Sequence, residues 1–109
     1  MTSPNRLFEA EALRLLGVCL ATQGGERIAQ AEARLLQAIE TSDRQGALFF
    51  KLRAATSLGR VWRNQNRRRE AHDLLSQVYD RFTEGLDTPD MKDARALLDD
   101  LEAAGLPRP

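Results

Sequence analysis

The chain has 109 residues, enough for one domain with a modest hydrophobic core. Sixteen basic and sixteen acidic side chains leave no net charge, which argues against a general nucleic-acid binder, since such proteins are usually basic overall. A single cysteine excludes an internal disulfide, and the longest apolar stretch, at 15–21, is too short to span a bilayer.

The distribution of glycine and proline predicts an all-α chain of five helices. No proline occurs between Pro4 and Pro89, and the composition there favours helix, whereas β-branched and aromatic residues are sparse. Glycines then mark the breaks between segments in which apolar residues recur at helical spacing. The predicted helices span about 5–23, 26–45, 47–64, 67–83 and 89–104.

Each of the first four predicted helices has an apolar stripe that should face the core. The spacing of three and four residues within each stripe is typical of one helix face. In chain order the stripes are Leu13, Leu16, Gly17 and Leu20; Ile28, Ala31, Leu35, Ala38 and Ile39; Leu52, Ala55, Leu58, Gly59 and Trp62; and Ala71, Leu74, Leu75, Val78, Tyr79 and Phe82.

The fifth predicted helix has clear signals at both ends. Thr88 is a suitable N-cap and Pro89 fits the first helical position, while Asp90 and Asp93 suit the positive end of the helix dipole. Gly105 predicts the left-handed cap at the other end. The apolar edge of this helix consists of Met91, Ala94, Leu98 and Leu101.

Two stretches of the chain follow one pattern at an offset of 40 to 42 residues. Each has Leu-Gly, a large apolar residue three positions after the glycine, a break, and then an alanine followed by two further apolar positions. Small residues on facing helices allow a close approach, so each stretch predicts a helical hairpin that stacks on the next. The matched pairs are Gly17 with Gly59, Leu20 with Trp62, Ala31 with Ala71, Leu35 with Leu75, and Ala38 with Val78.

This pattern resembles the tetratricopeptide repeat (TPR). The second stretch, at about 52–85, matches the family best, because Ala71 follows Gly59 by the expected twelve positions. The first stretch has two extra residues near 24–25, and the offset exceeds the 34 residues typical of the family. Departures in the second stretch are Ala55 where tryptophan is frequent, Asn66 at the turn glycine and Thr83 at the usual proline.

The resemblance implies an all-α fold of TPR-like right-handed helical hairpins. Repeat 1 would span about 5–45, repeat 2 about 47–85 and a C-terminal capping helix about 88–104, so that 1–109 form a single domain. It also implies a non-catalytic protein–protein interaction module, acting as an adaptor or regulatory scaffold without a cofactor.

A narrower resemblance involves the stretches LRAATSL at 52–58 and FTEGLDTPD at 82–90. They resemble the C-terminal end of large bacterial signalling proteins in which a class III nucleotide cyclase, an AAA-type ATPase and a TPR array share one chain. The stretches at 10–20 and 31–47 extend this likeness, which implies a standalone copy or a C-terminal regulatory fragment. The sequence has no phosphate-binding loop and no paired cyclase aspartates, so no catalytic residue is carried over and no enzyme is expected.

Charge is unevenly distributed along the chain. Eight basic and no acidic residues lie from Arg44 to Arg69, whereas ten acidic residues and three basic ones lie from Glu70 to Glu102. The basic segment is interpreted either as simple solvation or as a groove for an acidic peptide, with phosphate or nucleic acid less favoured. In a repeat array, the predicted partner-binding groove residues on the third helix are Arg53, Thr56, Arg60 and Asn64.

Other polar residues give no signal for a metal or catalytic site. His72 is the only histidine and is predicted to be exposed, while Cys19 is predicted to be a buried small hydrophobe. Trp62 belongs to a packing stripe, so we expect it in the core and not as a base-stacking platform. Acidic residues at 99, 100 and 102 are interpreted as a solvated face of the capping helix.

The first helix has more apolar positions than one inner stripe requires. Leu7, Phe8, Leu15, Val18 and Cys19 predict a second contact surface, either with another copy in a homodimer or with an upstream repeat of a longer protein. The remaining alternative is a small helical nucleic-acid-binding protein. Because no secretory signal or membrane segment is visible, we expect a cytoplasmic location.

Overall fold

The computed structural model describes residues 8–103, which form an all-α arrangement without a strand. The predicted helices are confirmed, with most bounds within one residue. The first helix starts later than predicted, with Phe8 in a turn before it, while positions 5–7, Leu7 included, and the predicted cap at Gly105 lie outside the described residues. The helices are α1 (Glu9–Gln23), α2 (Arg27–Gln45), α3 (Leu48–Asn64), α4 (Arg68–Tyr79) and α5 (Pro89–Ala103).

The predicted end of the fourth helix, at 83, is wrong. The amides of Arg81 and Phe82 bond to the carbonyls of Val78 and Tyr79, at 3.2 and 3.0 Å, so the chain tightens and leaves the helix. Phe82 still packs against the core, but from the segment that follows the helix. Apolar residues therefore keep their helical spacing beyond the last residue of the helix.

The helices are arranged in two layers with α3 in the middle. α3 packs against all four other helices, whereas α1 and α5 lie on opposite sides of it. α2 packs on α1 and α3, and α4 packs on α3 and α5, so these two helices form the second layer. As a result α3 buries more of its side chains than any other helix of the described chain.

Two apolar clusters hold the layers together. The larger one joins α3, α4 and α5, and the smaller one joins α2 and α3, with Ala21 of α1 packed against it. The predicted edge of α5 is fully buried, as are the matched positions of α2 and α4. Leu16 is the exception among the predicted stripes, because its side chain remains 45% exposed. Those matched buried positions are Ala31, Leu35 and Ala38 on α2 and Ala71, Leu75 and Val78 on α4.

Small residues lie at both hairpin crossings, as predicted. A Cβ atom at Gly59 would lie 4.0 Å from the Cβ of Ala71, which confirms that these two residues face each other. At Gly17 a Cβ would lie 2.7 Å from Cγ of Leu35 and 3.2 Å from the carbonyl oxygen of Ala31. The absence of a side chain therefore allows the helices of each hairpin to approach closely.

Helices α2 and α3 end with the same hydrogen-bond pattern. Gly46 has a left-handed conformation with φ of 65°, and Asn66 adopts the same φ. After α3, the amide of Arg67 bonds to the Trp62 carbonyl at 2.7 Å and the amide of Asn66 to the Arg63 carbonyl at 3.0 Å, which is a Schellman cap. Asn66 thus takes the place of the turn glycine that the repeat pattern predicts.

The start of α5 is placed as predicted, but the Thr88 side chain has a different role. Pro89 is the first residue of α5, so Thr88 occupies the N-cap position. Its hydroxyl donates to the carbonyl of Gly85 at 2.9 Å and so closes the preceding turn.

Candidate partner-binding groove

A polar pocket lies along α3 between α1 and α5. Its volume is about 210 Å³, and residues of all three helices form its walls. The walls are formed by Arg14, Arg53, Thr56, Ser57, Arg60, Asp90 and Asp93.

A second pocket adjoins the first toward the C-terminal ends of α1 and α3. Its volume is about 330 Å³, and it shares Arg14, Ser57 and Arg60 with the first pocket. Its remaining walls are mostly apolar, with polar groups at one end. Those walls are Val18, Ala21, Thr22, Val61 and Asn64. We call the two pockets together the α3 groove.

The four predicted groove residues all line the α3 groove. Arg53 and Thr56 lie in the polar pocket, Asn64 lies in the apolar pocket, and Arg60 belongs to both. Thr56 is nearly buried, and its hydroxyl donates to the Leu52 carbonyl at 2.8 Å. Thr56 therefore shapes the floor of the groove, because its proton is already used inside the helix.

The groove arginines form ion pairs with acidic residues of the neighbouring helices. Arg53 contacts Glu11 of α1 at 2.9 Å and lies 3.7 Å from Asp90 of α5, and Arg60 pairs with Asp93. The three guanidinium groups of the polar pocket are thus paired with Asp90 and Asp93, which line it, and with Glu11, which lies outside its walls. Any acidic ligand has to replace carboxylates that the chain itself supplies.

The acidic side of α5 is therefore more than a solvated face. Asp93 and Asp100 both reach α3, where Asp100 contacts Arg63 at 3.2 Å. Asp99 and Glu102 contact Arg95 of their own helix, and Glu102 also reaches His72 of α4. Long-range ion pairs of this kind cannot be read from the spacing of residues on one helix, because the partners are 33 and 37 positions apart.

Arg14 is a groove residue that the sequence prediction missed. Its guanidinium forms two hydrogen bonds to Glu11, at 2.6 and 3.0 Å, and reaches the Ser57 hydroxyl at 3.4 Å. The hydrogen bonds to Glu11 raise the pKa of Arg14, while burial acts against them. The repeat offset was the available signal, since subtracting 42 from the four predicted groove positions gives 11, 14, 18 and 22.

Trp62 is a packing residue whose indole N–H also has a hydrogen-bond acceptor. It is partly buried against both apolar clusters, and its Nε1 donates to Glu32 of α2 at 2.8 Å. The Arg67 guanidinium lies 4.7 Å from its ring centroid and also contacts Glu32 and Glu70. Hydrogen bonds from Arg67 hold the pKa of Glu70 below its ordinary value. The indole ring of Trp62 is therefore occupied by contacts within the chain.

The remaining candidate residues occupy separate places. Cys19 is exposed on α1, so the prediction of a buried thiol is wrong; no helix of the described chain covers that side of α1. His72 is partly exposed, and its Nε2 lies 3.2 Å from Glu102 of α5. Within residues 8–103 no three histidine, cysteine or acidic side chains are grouped as metal ligands.

Comparison with protein-family models, curated proteins and solved structures finds no match to this chain. Among the helices described, none combines the length and the apolar character needed to cross a bilayer.

Proposed function

We propose that this chain is a non-catalytic protein–protein interaction module that binds an extended peptide of a partner in the α3 groove. The observation that carries this proposal is the pair of adjoining pockets along α3, one lined by arginine and aspartate and the other mostly apolar. A continuous groove along a helical surface suits a peptide because it offers several contacts in sequence.

A TPR-like repeat array is the architecture that this proposal assumes. The two hairpins bury matched residues at an offset of 40 to 42, and each has a glycine at its crossing point. The alternation of α1, α3 and α5 in one layer with α2 and α4 in the other is compatible with stacked hairpins. In such an array the α1–α3–α5 layer provides the binding surface.

The ligand that fits the walls is an acidic segment with an apolar side chain. Its apolar side chain would enter the pocket formed by Val18, Ala21 and Val61, and a neighbouring carboxylate would contact Arg60. The Arg60 and Asp93 side chains are 41% and 47% exposed, and such ion pairs contribute about 0–1 kcal/mol. A carboxylate of the ligand can therefore replace Asp93 at small cost.

The test compares two synthetic peptides of equal length, in which leucines are flanked either by glutamates or by lysines. We expect the acidic peptide to bind, with an affinity that falls as salt rises. Asp93→Asn should strengthen its binding roughly twofold to fivefold, because a competing exposed pair worth up to about 1 kcal/mol is removed. Arg53→Ala combined with Arg60→Ala should abolish binding with the helical content retained.

Arg95→Ala is the matched control, because Arg95 is paired on α5 but does not line either pocket. It should leave the affinity for the acidic peptide unchanged. Undiminished binding in the double arginine variant, or weaker binding after Asp93→Asn, would contradict the proposed ligand chemistry. Isothermal titration calorimetry measures all of these affinities.

A further inference from the structure

The outer side of α1 has an apolar stripe that the rest of the described chain leaves uncovered. Phe8, Leu15 and Leu16 are 65%, 53% and 45% exposed, and Ala12 and Cys19 are exposed beside them. None of these five residues is charged. This outer stripe is separate from the α3 groove, which uses Arg14, Val18, Ala21 and Thr22 on another side of the helix.

The second hairpin shows what normally covers such a stripe. At the offset of 42, Ala12, Leu16 and Cys19 correspond to Ala54, Leu58 and Val61 of α3. All three of those α3 residues are buried, and Leu58 and Val61 pack with apolar residues of α1 and α2. The outer stripe of α1 therefore has the residue types of a helix–helix contact but no helix against it.

We infer that the outer stripe pairs with the same stripe of a second copy of this chain, as an antiparallel helix pair about a two-fold axis. The axis would pass between Leu15 and Leu16, so that Leu15 faces Leu16 of the partner subunit. Ala12 then faces Cys19 of the partner subunit, which places small residues on both sides of a leucine centre. A two-fold contact buries the same surface on both copies.

The charge distribution along α1 selects the antiparallel direction. Its charged residues, Glu9, Glu11 and Arg14, all lie in its first half, and positions 15–23 have none. A parallel pair would bring the two acidic N-terminal ends together, which is unfavourable. In the antiparallel pair each acidic end lies beside an uncharged half, and the helix dipoles are opposed.

The expected association is weak, because a stripe from position 8 to 19 is about 17 Å long at 1.5 Å per residue. One helix pair of this length buries less than the roughly 1,600 Å² of a standard interface. We therefore expect a weak association, seen as a monomer–dimer equilibrium that depends on concentration.

Sedimentation equilibrium of the full chain from about 1 to about 200 µM tests this pairing. We expect the apparent mass to rise from one chain toward two, and Leu15→Glu to keep it at one with unchanged helical content. Leu86→Glu is the matched control, since Leu86 is similarly exposed, at 50%, but lies between α4 and α5. A chain that stays monomeric throughout, or a dimer that persists after Leu15→Glu, would overturn the inference.

Cysteine crosslinking tests the direction. In the antiparallel pair Ala12→Cys should form a disulfide with Cys19 of the partner subunit, whereas the parent chain should not crosslink. Positions 12 and 19 of one helix are about 10 Å apart, too far for an intrachain bond. Ala12→Cys combined with Cys19→Ser should form no covalent dimer. Crosslinking of the parent chain through Cys19 would instead indicate a parallel pair and contradict the antiparallel one.

Discussion

Gly17 and Gly59 are matched positions of the two hairpins, but their surroundings differ. At Gly17 an added Cβ would meet Cγ of Leu35 and the backbone of Ala31. At Gly59 the nearest atom is Cδ2 of Leu97, at 3.1 Å, which is the end of a flexible side chain. The first crossing is therefore the more tightly constrained, because a side-chain branch point and a backbone carbonyl move less readily than a terminal methyl group.

Gly17→Ala should destabilise the protein more than Gly59→Ala does. Alanine gains about 1 kcal/mol of helix propensity at either position, whereas overpacking costs about 1–3 kcal/mol. At Gly59 these contributions should nearly cancel, while Gly17→Ala should lose about 1–2 kcal/mol on balance. Urea denaturation measures both values. Leucine at position 59 cannot fit beside Ala71 and Leu97, so Gly59→Leu should lose about 1–3 kcal/mol of stability. Equal values for the two alanine variants would show that the two crossings are equally constrained.

At the residue scale, contacts within a hairpin were predictable and contacts between hairpins were not. The contact between Gly59 and Ala71 was predictable, because the repeat pattern places small residues at these two positions, twelve residues apart. The pairing of Arg60 with Asp93 joins helices whose relative rotation the sequence alone does not specify. For Cys19 the pattern was ambiguous, since α1 is apolar on two sides and only the packing of α2 and α3 decides which one is covered.

At the element scale, the helix ends show how far local signals reach. Gly46 and Asn66 both adopt the left-handed conformation that the glycine and asparagine positions suggest. The end of α4 was not predictable from its stripe, because Phe82 packs against the core after the helix has ended. Apolar spacing reports which side chains are buried, but hydrogen bonding decides where the helix stops.

Asn66→Gly should stabilise the protein by about 0.5 kcal/mol. Glycine adopts a φ of 65° without the steric cost that a Cβ imposes, although it also makes the unfolded chain more flexible. Gln65→Gly is the matched control, because Gln65 has a φ of −92° and should lose stability upon the same replacement. Urea denaturation distinguishes the two variants. A loss of stability in Asn66→Gly as large as in Gln65→Gly would show that the left-handed conformation imposes no measurable strain.

At the scale of the whole molecule, burial is concentrated around α3. The larger cluster joins α3 to α4 and α5. Ion pairs from Arg60 and Arg63 also connect α3 to α5. At the opposite edge, α1 buries only Ala10, Gly17 and Leu20 among its described residues. Leu20 is the single large side chain of that set, so α1 contributes little buried apolar area for its length.

Amide hydrogen exchange should therefore detect opening of α1 before opening of α3. Local opening requires little free energy where few large apolar side chains are buried. At low micromolar concentration the amides of α1 should exchange faster than those of α3, which should exchange only upon global unfolding. Raising the concentration should slow exchange in α1 if the outer stripe pairs with a second copy, because association stabilises the closed helix. The α4 amides that exchange through local opening of α4 are the internal control, since this opening leaves the stripe intact and should not depend on concentration. Equal protection of α1 and α3 in the dilute chain would contradict the uneven burial as the source of local stability.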